Sequence, residues 1–125
     1  MTLIYVALGG AVGAMLRYLT GVFMLHRMGA HFPYGTLTVN IVGSLLMGLL
    51  MGYLLHHHAH KEVLHTLLAV GLLGGFTTFS AFSFDVMAMM QRGEMMSIAI
   101  YMFASIAGGI AAVLLGMILM RAVCV

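Results

Sequence analysis

The amino-acid sequence predicts an all-α membrane protein: one domain over residues 1–125 with four transmembrane helices, the third broken near its middle. Three observations predict it. Hydrophobic residues make up 63% of the chain and charged residues 6%, far from the balance of an average soluble domain. The apolar residues gather into four blocks, approximately 2–25, 35–55, 63–90 and 95–120. Each is near or above the ~20 residues that cross a bilayer as a helix. The third block contains Gly74-Gly75-Phe76-Thr77-Thr78-Phe79-Ser80-Ala81-Phe82-Ser83. Its glycines and hydroxyl residues weaken helix propensity and offer alternative partners to the backbone. Inside a bilayer, irregular backbone survives only where protein or water covers it, so this interruption is where function is expected.

The first block has no basic leader, runs longer than a signal-peptide core and carries Arg17, so it is expected to be a retained span. Gly9, Gly10 and Gly13 recur at helical spacing, which allows another helix to approach closely. Arg17 lies eight residues before Leu25. It is either an anchor that snorkels to the interface or a positive charge that draws anions into a vestibule.

The second block places Thr36 and Asn40 on one helical face. The Asn40 amide, with two donors and one acceptor, can bridge two helices or donate to a small dehydrated anion. Gly43, Gly48 and Gly52 again form a small-residue series. In the third block Phe79 and Phe82 are three apart, as are Ser80 and Ser83, giving neighbouring aromatic and hydroxyl faces. Such an aromatic pair can be a packing stripe, or its positive ring edges can face an anion. Asp85 is a candidate proton carrier or Arg17 partner, but its closeness in sequence to Arg92 and Glu94 favours a vestibule or the interface. Tyr101 and Ser105 share a face of the fourth block, along which Gly108, Gly109 and Gly116 recur, and serve either packing or pore lining.

The connections, His26–Phe32, His56–Glu62 and Gln91–Glu94, leave no chain for a soluble domain, and a β-barrel lacks its alternating pattern. His56, His57, His58, His60 and His65 cluster around the second connection, and with Glu62 as the only carboxylate they suggest incidental metal affinity rather than a zinc site. Cys124 is the only cysteine, so no intrachain disulfide forms. The formal charge of +2 comes from scattered basic residues, which excludes a nucleic-acid surface. No nucleophile with a base, phosphate loop or zinc motif points to an enzyme.

The basic residues give no preferred orientation. With alternating helices, Lys61 and Arg121 fall on one side and Arg27 and Arg92 on the other. Small numbers alone can produce such a balance. Insertion in both orientations is the sharper explanation, and oppositely inserted copies would pair as an antiparallel homodimer.

Gly9-Gly10-Ala11-Val12-Gly13-Ala14-Met15-Leu16-Arg17-Tyr18, Gly35-Thr36-Leu37-Thr38-Val39-Asn40 and the Gly74 to Ser83 segment occur in order. Over nearly its whole length the chain resembles the bacterial fluoride channels called Fluc or CrcB. The resemblance implies a multi-pass protein of the bacterial inner membrane, a dual-topology homodimer with two antiparallel fluoride pores, and one structural sodium ion on the dimer axis. It implies that Asn40 is the pore amide and that Phe79 and Phe82 turn their ring edges to fluoride. Thr36, Ser80, Ser83 and Tyr101 would join the pore, and Arg17 a vestibule. The backbone carbonyls of Gly74 and Thr77 would hold the sodium. Two positions depart from the family pattern: Ala81 stands where Thr is common and Gly109 where some members have Ser, each removing a hydroxyl.

The competing class is a proton-coupled exporter of the small four-helix multidrug-resistance type. It needs a buried acid, for which Asp85 is the candidate. A third class, a membrane scaffold or metal-binding protein, would use the His56 to His60 tract.

Overall fold

A computed structural model describes residues 1–57 and 61–124. Helix α1 spans Thr2–Met28 and ends at Gly29, whose φ of 81° lets its N–H turn back to the Leu25 carbonyl at 3.0 Å. It runs three residues past the apolar block. His26 Nδ1–H donates to the Val22 carbonyl at 2.8 Å, and the Arg27 guanidinium lies 5.4 Å from the centre of the Phe23 ring. Polar cationic side chains at a helix C-terminus suit its dipole, which is why the helix outlasts the hydrophobic pattern.

Helix α2 spans Tyr34–His56 and starts directly after Pro33, which has no N–H to leave unpaired. The third span, Lys61–Gln91, is composite. It comprises α3 (Lys61–Leu64), a π-helical segment (His65–Leu73), α4 (Gly74–Phe76) and α5 (Phe79–Gln91). Thr77 and Thr78 are extended, with φ/ψ of −81°/157° and −155°/123°. Helix α6 spans Met95–Cys124. Among the described residues, four helical spans are thus long and apolar enough to cross a membrane.

The nine-residue π-helical segment has no signature in the apolar pattern, because the sequence there reads as ordinary buried helix. Its wider backbone lies directly on α1. A Cβ on Gly71 would sit 3.0 Å from the Gly9 Cα, and one on Gly13 would strike the Leu72 carbonyl and come within 2.8 Å of the Phe76 nitrogen. On the other side of the bundle α2 packs along α6. There a Cβ on Gly116 would strike the Leu45 carbonyl and approach the Leu49 nitrogen to 2.7 Å. Both seams are backbone on backbone, the arrangement that small residues permit in membranes, where lipid is as apolar as leucine.

Buried apolar residues such as Val39, Leu54, Leu73 and Phe76 are spread along the bundle, and one core cluster gathers at one end. Phe82, Met89, Ile98 and Tyr101 form it, with Phe32, Leu37 and Val86 packed against them. Large apolar side chains such as Leu3, Phe84 and Phe103 point outward instead. A water-soluble monomer rarely exposes so much apolar surface, whereas lipid accepts it.

The first and third connections meet at that same end, since Gly29, Phe32 and Pro33 line one cavity with Arg92. The turn between α5 and α6 rests on Gly93, with φ 73°. Arg92 Nε and Nη2 donate to the two Glu94 carboxylate oxygens at 2.8 and 3.2 Å. Those bonds hold the Glu94 carboxyl below its ordinary range.

Candidate functional site

The site begins with the backbone of Thr77 and Thr78. Thr77 N–H and Oγ1–H both donate to the Leu73 carbonyl at 2.9 Å, which closes the helix behind them. Thr78 then turns its amide across the bundle to α2. Its N–H donates to Asn40 Oδ1 at 2.8 Å, and its carbonyl accepts from Asn40 Nδ2 at 3.0 Å. One amide side chain thereby replaces both helical partners of one residue. The pairing also fixes which end of the Asn40 amide is oxygen, because a backbone N–H can only donate. Thr78 Oγ1 accepts the Ala81 N–H at 3.2 Å and so caps the start of α5.

These bonds have a second effect. In a continuous helix Thr78 N–H would bond the Gly74 carbonyl and Ala81 N–H the Thr77 carbonyl. Both donors are used elsewhere, which releases these two carbonyl oxygens from the helical ladder.

Two cavities flank the core. One, of about 320 Å³, is lined by Asn40, Ser44, Thr78, Phe79, Phe82 and Ser105, among others. The other, of about 290 Å³, is lined by Thr36, Asp85 and Arg92 together with the first connection. An aromatic wall stands between them. The Phe82 ring lies 5.6 Å from Phe79 and 5.1 Å from Tyr101, centre to centre. Tyr101 is 0% exposed, and its hydroxyl donates to Asp85 Oδ2 at 3.0 Å, at the edge of the second cavity.

The structure therefore brings Asn40, Phe79, Phe82 and Thr77 together around the first cavity. Thr36 is separated from Asn40 and lines the second, and Tyr101 belongs to the wall between. Ser80 Oγ is 3.2 Å from Thr78 Oγ1, while Ser83 Oγ–H donates to the Phe79 carbonyl at 3.0 Å on an exposed face. Arg17 and Gly74 line neither cavity. Asp85 meets Tyr101 rather than Arg17, and Arg92 meets Glu94. Phe79 and Phe82 are not equivalent: Phe82 is 9% exposed and Phe79 79%.

Ser44 and Thr78 were missed by sequence reasoning. Ser44 was open to discovery, since it follows Asn40 by four residues and so shares its face. The pairing of Thr78 with a side chain 38 residues away leaves no local trace. In the histidine tract, His57 stacks on Tyr53 with ring centres 4.2 Å apart, while His58 and His60 lie outside the described residues.

Comparison with known proteins adds an independent line. Relatives named "Fluoride-specific ion channel FluC" match along nearly their full length. The protein of Rhizobium meliloti (strain 1021) is 45% identical over 120 residues, 96% of each chain. That of Sphingopyxis alaskensis is 48% identical over 116 residues, covering 93% of this chain and 92% of the relative. That of Chelativorans sp. (strain BNC1) is 46% identical over 121 residues, 97% of each. Residues 4–117 also match the family described as "CrcB-like protein, Camphor Resistance (CrcB)". With four apolar spans and a family match over almost all of its length, this chain is a multi-pass membrane protein of the CrcB family.

Proposed function

We propose that the chain is a fluoride-selective channel, through which cytoplasmic fluoride leaves a bacterial cell across the inner membrane by passive electrodiffusion. The observation that carries this is the extended pair Thr77 and Thr78, a functional break of the third span held open by Asn40 beside the Phe79 and Phe82 rings. Relatives bearing the fluoride-channel name over nearly the whole length support the same reading.

Fluoride is small and strongly hydrated, so a dry path must supply donors in place of water without trapping the ion. Asn40 has one Nδ2–H left after its bond to Thr78, and the residue lines the cavity that Phe79 and Phe82 border. The positive edges of those rings favour an anion weakly, over a broad surface. Beyond the wall, the Tyr101 hydroxyl and Thr36 continue the polar lining toward the second cavity, and Arg17 would raise local anion concentration near a vestibule.

The working unit is an antiparallel homodimer of oppositely inserted copies, supported by the even basic residues at the two ends and by Phe79, which its own chain leaves uncovered. A structural sodium ion on the dimer axis fits the carbonyls of Gly74 and Thr77. They are hard oxygen ligands already released from helical bonding, and two copies would supply four. Such an ion would contribute fixed positive charge near the paths.

The test is fluoride release from potassium-loaded proteoliposomes, with sodium present throughout. Release that needs valinomycin, with negligible chloride release, is the expected result. Uphill fluoride movement driven by a pH gradient and lost in Asp85→Asn would establish the exporter instead.

A further inference from the structure

One turn of α2 meets both extended residues of the break. Asn40 clasps the backbone of Thr78, and Gly43, three residues on and so on the same side of the helix, meets Thr77. A Cβ built on Gly43 would strike Thr77 Cγ2 and come within 3.3 Å of Cδ1 of the Phe76 ring. The glycine is buried, so the Thr77 methyl occupies the space that any other residue at 43 would need for its own side chain.

The other branch of Thr77 is fixed as well. Its Oγ1–H and its N–H both donate to the Leu73 carbonyl at 2.9 Å. A β-branched side chain is stiff about its first torsion, so a methyl seated on Gly43 and a hydroxyl bonded to Leu73 together settle it. The methyl cannot swing clear of a new atom at 43 while the hydroxyl keeps its bond, and the Thr77 backbone shifts instead. That backbone carries one of the two carbonyls released from the helical ladder.

We infer that Gly43 is a positioning residue of the proposed sodium site: it seats the Thr77 methyl and thereby aims the Thr77 carbonyl. The inference rests on the sodium reading given above and concerns a residue that contributes no ligand itself. Groups standing behind metal ligands set affinity by holding those ligands in one orientation.

The contact can be altered from either side. Gly43→Ala adds a carbon in the place of the methyl, and Thr77→Ser removes that methyl while keeping the hydroxyl for Leu73. Thr77→Val does the reverse: it keeps a methyl for Gly43 and gives up the hydroxyl, while the Leu73 carbonyl still accepts the Thr77 N–H. The measurement is thermal unfolding of purified full-length protein in detergent, titrated with sodium while choline holds the ionic strength. An ion that binds the folded protein alone raises the unfolding temperature, and the concentration at which the rise sets in reports its affinity. A defect in helix packing lowers the unfolding temperature alike at every sodium concentration, whereas a misaimed ligand moves that onset.

Gly43→Ala is expected to move the onset to about tenfold more sodium, and Thr77→Ser to move it in the same direction. Combining the two is expected to bring it back to within about threefold of the unsubstituted protein, and Thr77→Val alone to stay within the same range. Should Gly43→Ala fold poorly, the contrast between Thr77→Ser and Thr77→Val reads the seat without it. An unmoved onset in Gly43→Ala, a double variant no better than Gly43→Ala, or a Thr77→Val onset as displaced as that of Thr77→Ser overturns the inference and leaves the sodium reading intact. No sodium-dependent rise in the unsubstituted protein overturns both.

Discussion

Asn40 spends most of its amide on protein rather than on any ion. Both of its bonds to Thr78 close over a gap that would otherwise leave a backbone N–H and C=O unpaired in the membrane. Asn40→Ala orphans both, and each unpaired buried group costs about 1–3 kcal/mol. Clearly lower thermal stability in detergent is therefore expected in addition to lost transport, and a variant as stable as the parent would show that the clasp contributes nothing. Phe82 and Phe79 make a cleaner test of the path. Phe82→Ile and Phe79→Ile keep apolar bulk and remove the ring edge, so each is expected to abolish fluoride release while leaving a folded protein. Normal release from either would remove that ring from the path. The identities of these residues were legible in the sequence because polar and aromatic groups stand out in an apolar span. Their partners were not: Tyr101 meeting Asp85, and Thr78 meeting Asn40, depend on how three helices cross.

At the level of elements, the sequence revealed the four spans within a few residues of their observed ends, because hydrophobic length alone determines them. It missed the continuation of α1 through His26 and Arg27, where a polar helix end is stabilised by bonds invisible to hydropathy. It also missed the π-helical segment of the third span, which lies against the glycines of α1 and has no mark in the apolar pattern. The turn between α5 and α6 is a local feature that sequence does encode. Gly93 sits at φ 73°, a region that costs an ordinary L-residue about 1–2 kcal/mol. Gly93→Ala should lose stability by roughly that amount in thermal unfolding, with fluoride selectivity unchanged. A shift in selectivity instead would mean that the turn orients Arg92 into the path.

At the level of the whole molecule, a single copy has unfinished features. The carbonyls released at Gly74 and Thr77 would give the proposed sodium ion only two oxygen ligands from one copy. If a second copy supplies its own pair across a two-fold axis, removing sodium should loosen the assembly. Exchange into lithium or choline buffer is expected to lower both the dimer fraction on size exclusion and the fluoride release rate, and sodium should restore both. Unchanged behaviour after exhaustive sodium removal would leave these carbonyls without a metal. At this scale the sequence offers only a balance of charges, since any packing between copies would be encoded on surfaces that hydropathy treats as lipid-facing.

The contrast between a buried Phe82 and a largely uncovered Phe79 bears on heredity as well as on permeation. If each of two paths takes rings from both polypeptides, a damaged copy closes the path that its own Phe79 borders and leaves the other open. A cell carrying both the unsubstituted gene and a Phe79→Ile allele would then survive fluoride no worse than one carrying a single good copy alone. Phe79→Ile is thus expected to behave as a recessive lesion in growth assays on fluoride, and a dominant allele would mean that one lost ring closes both paths.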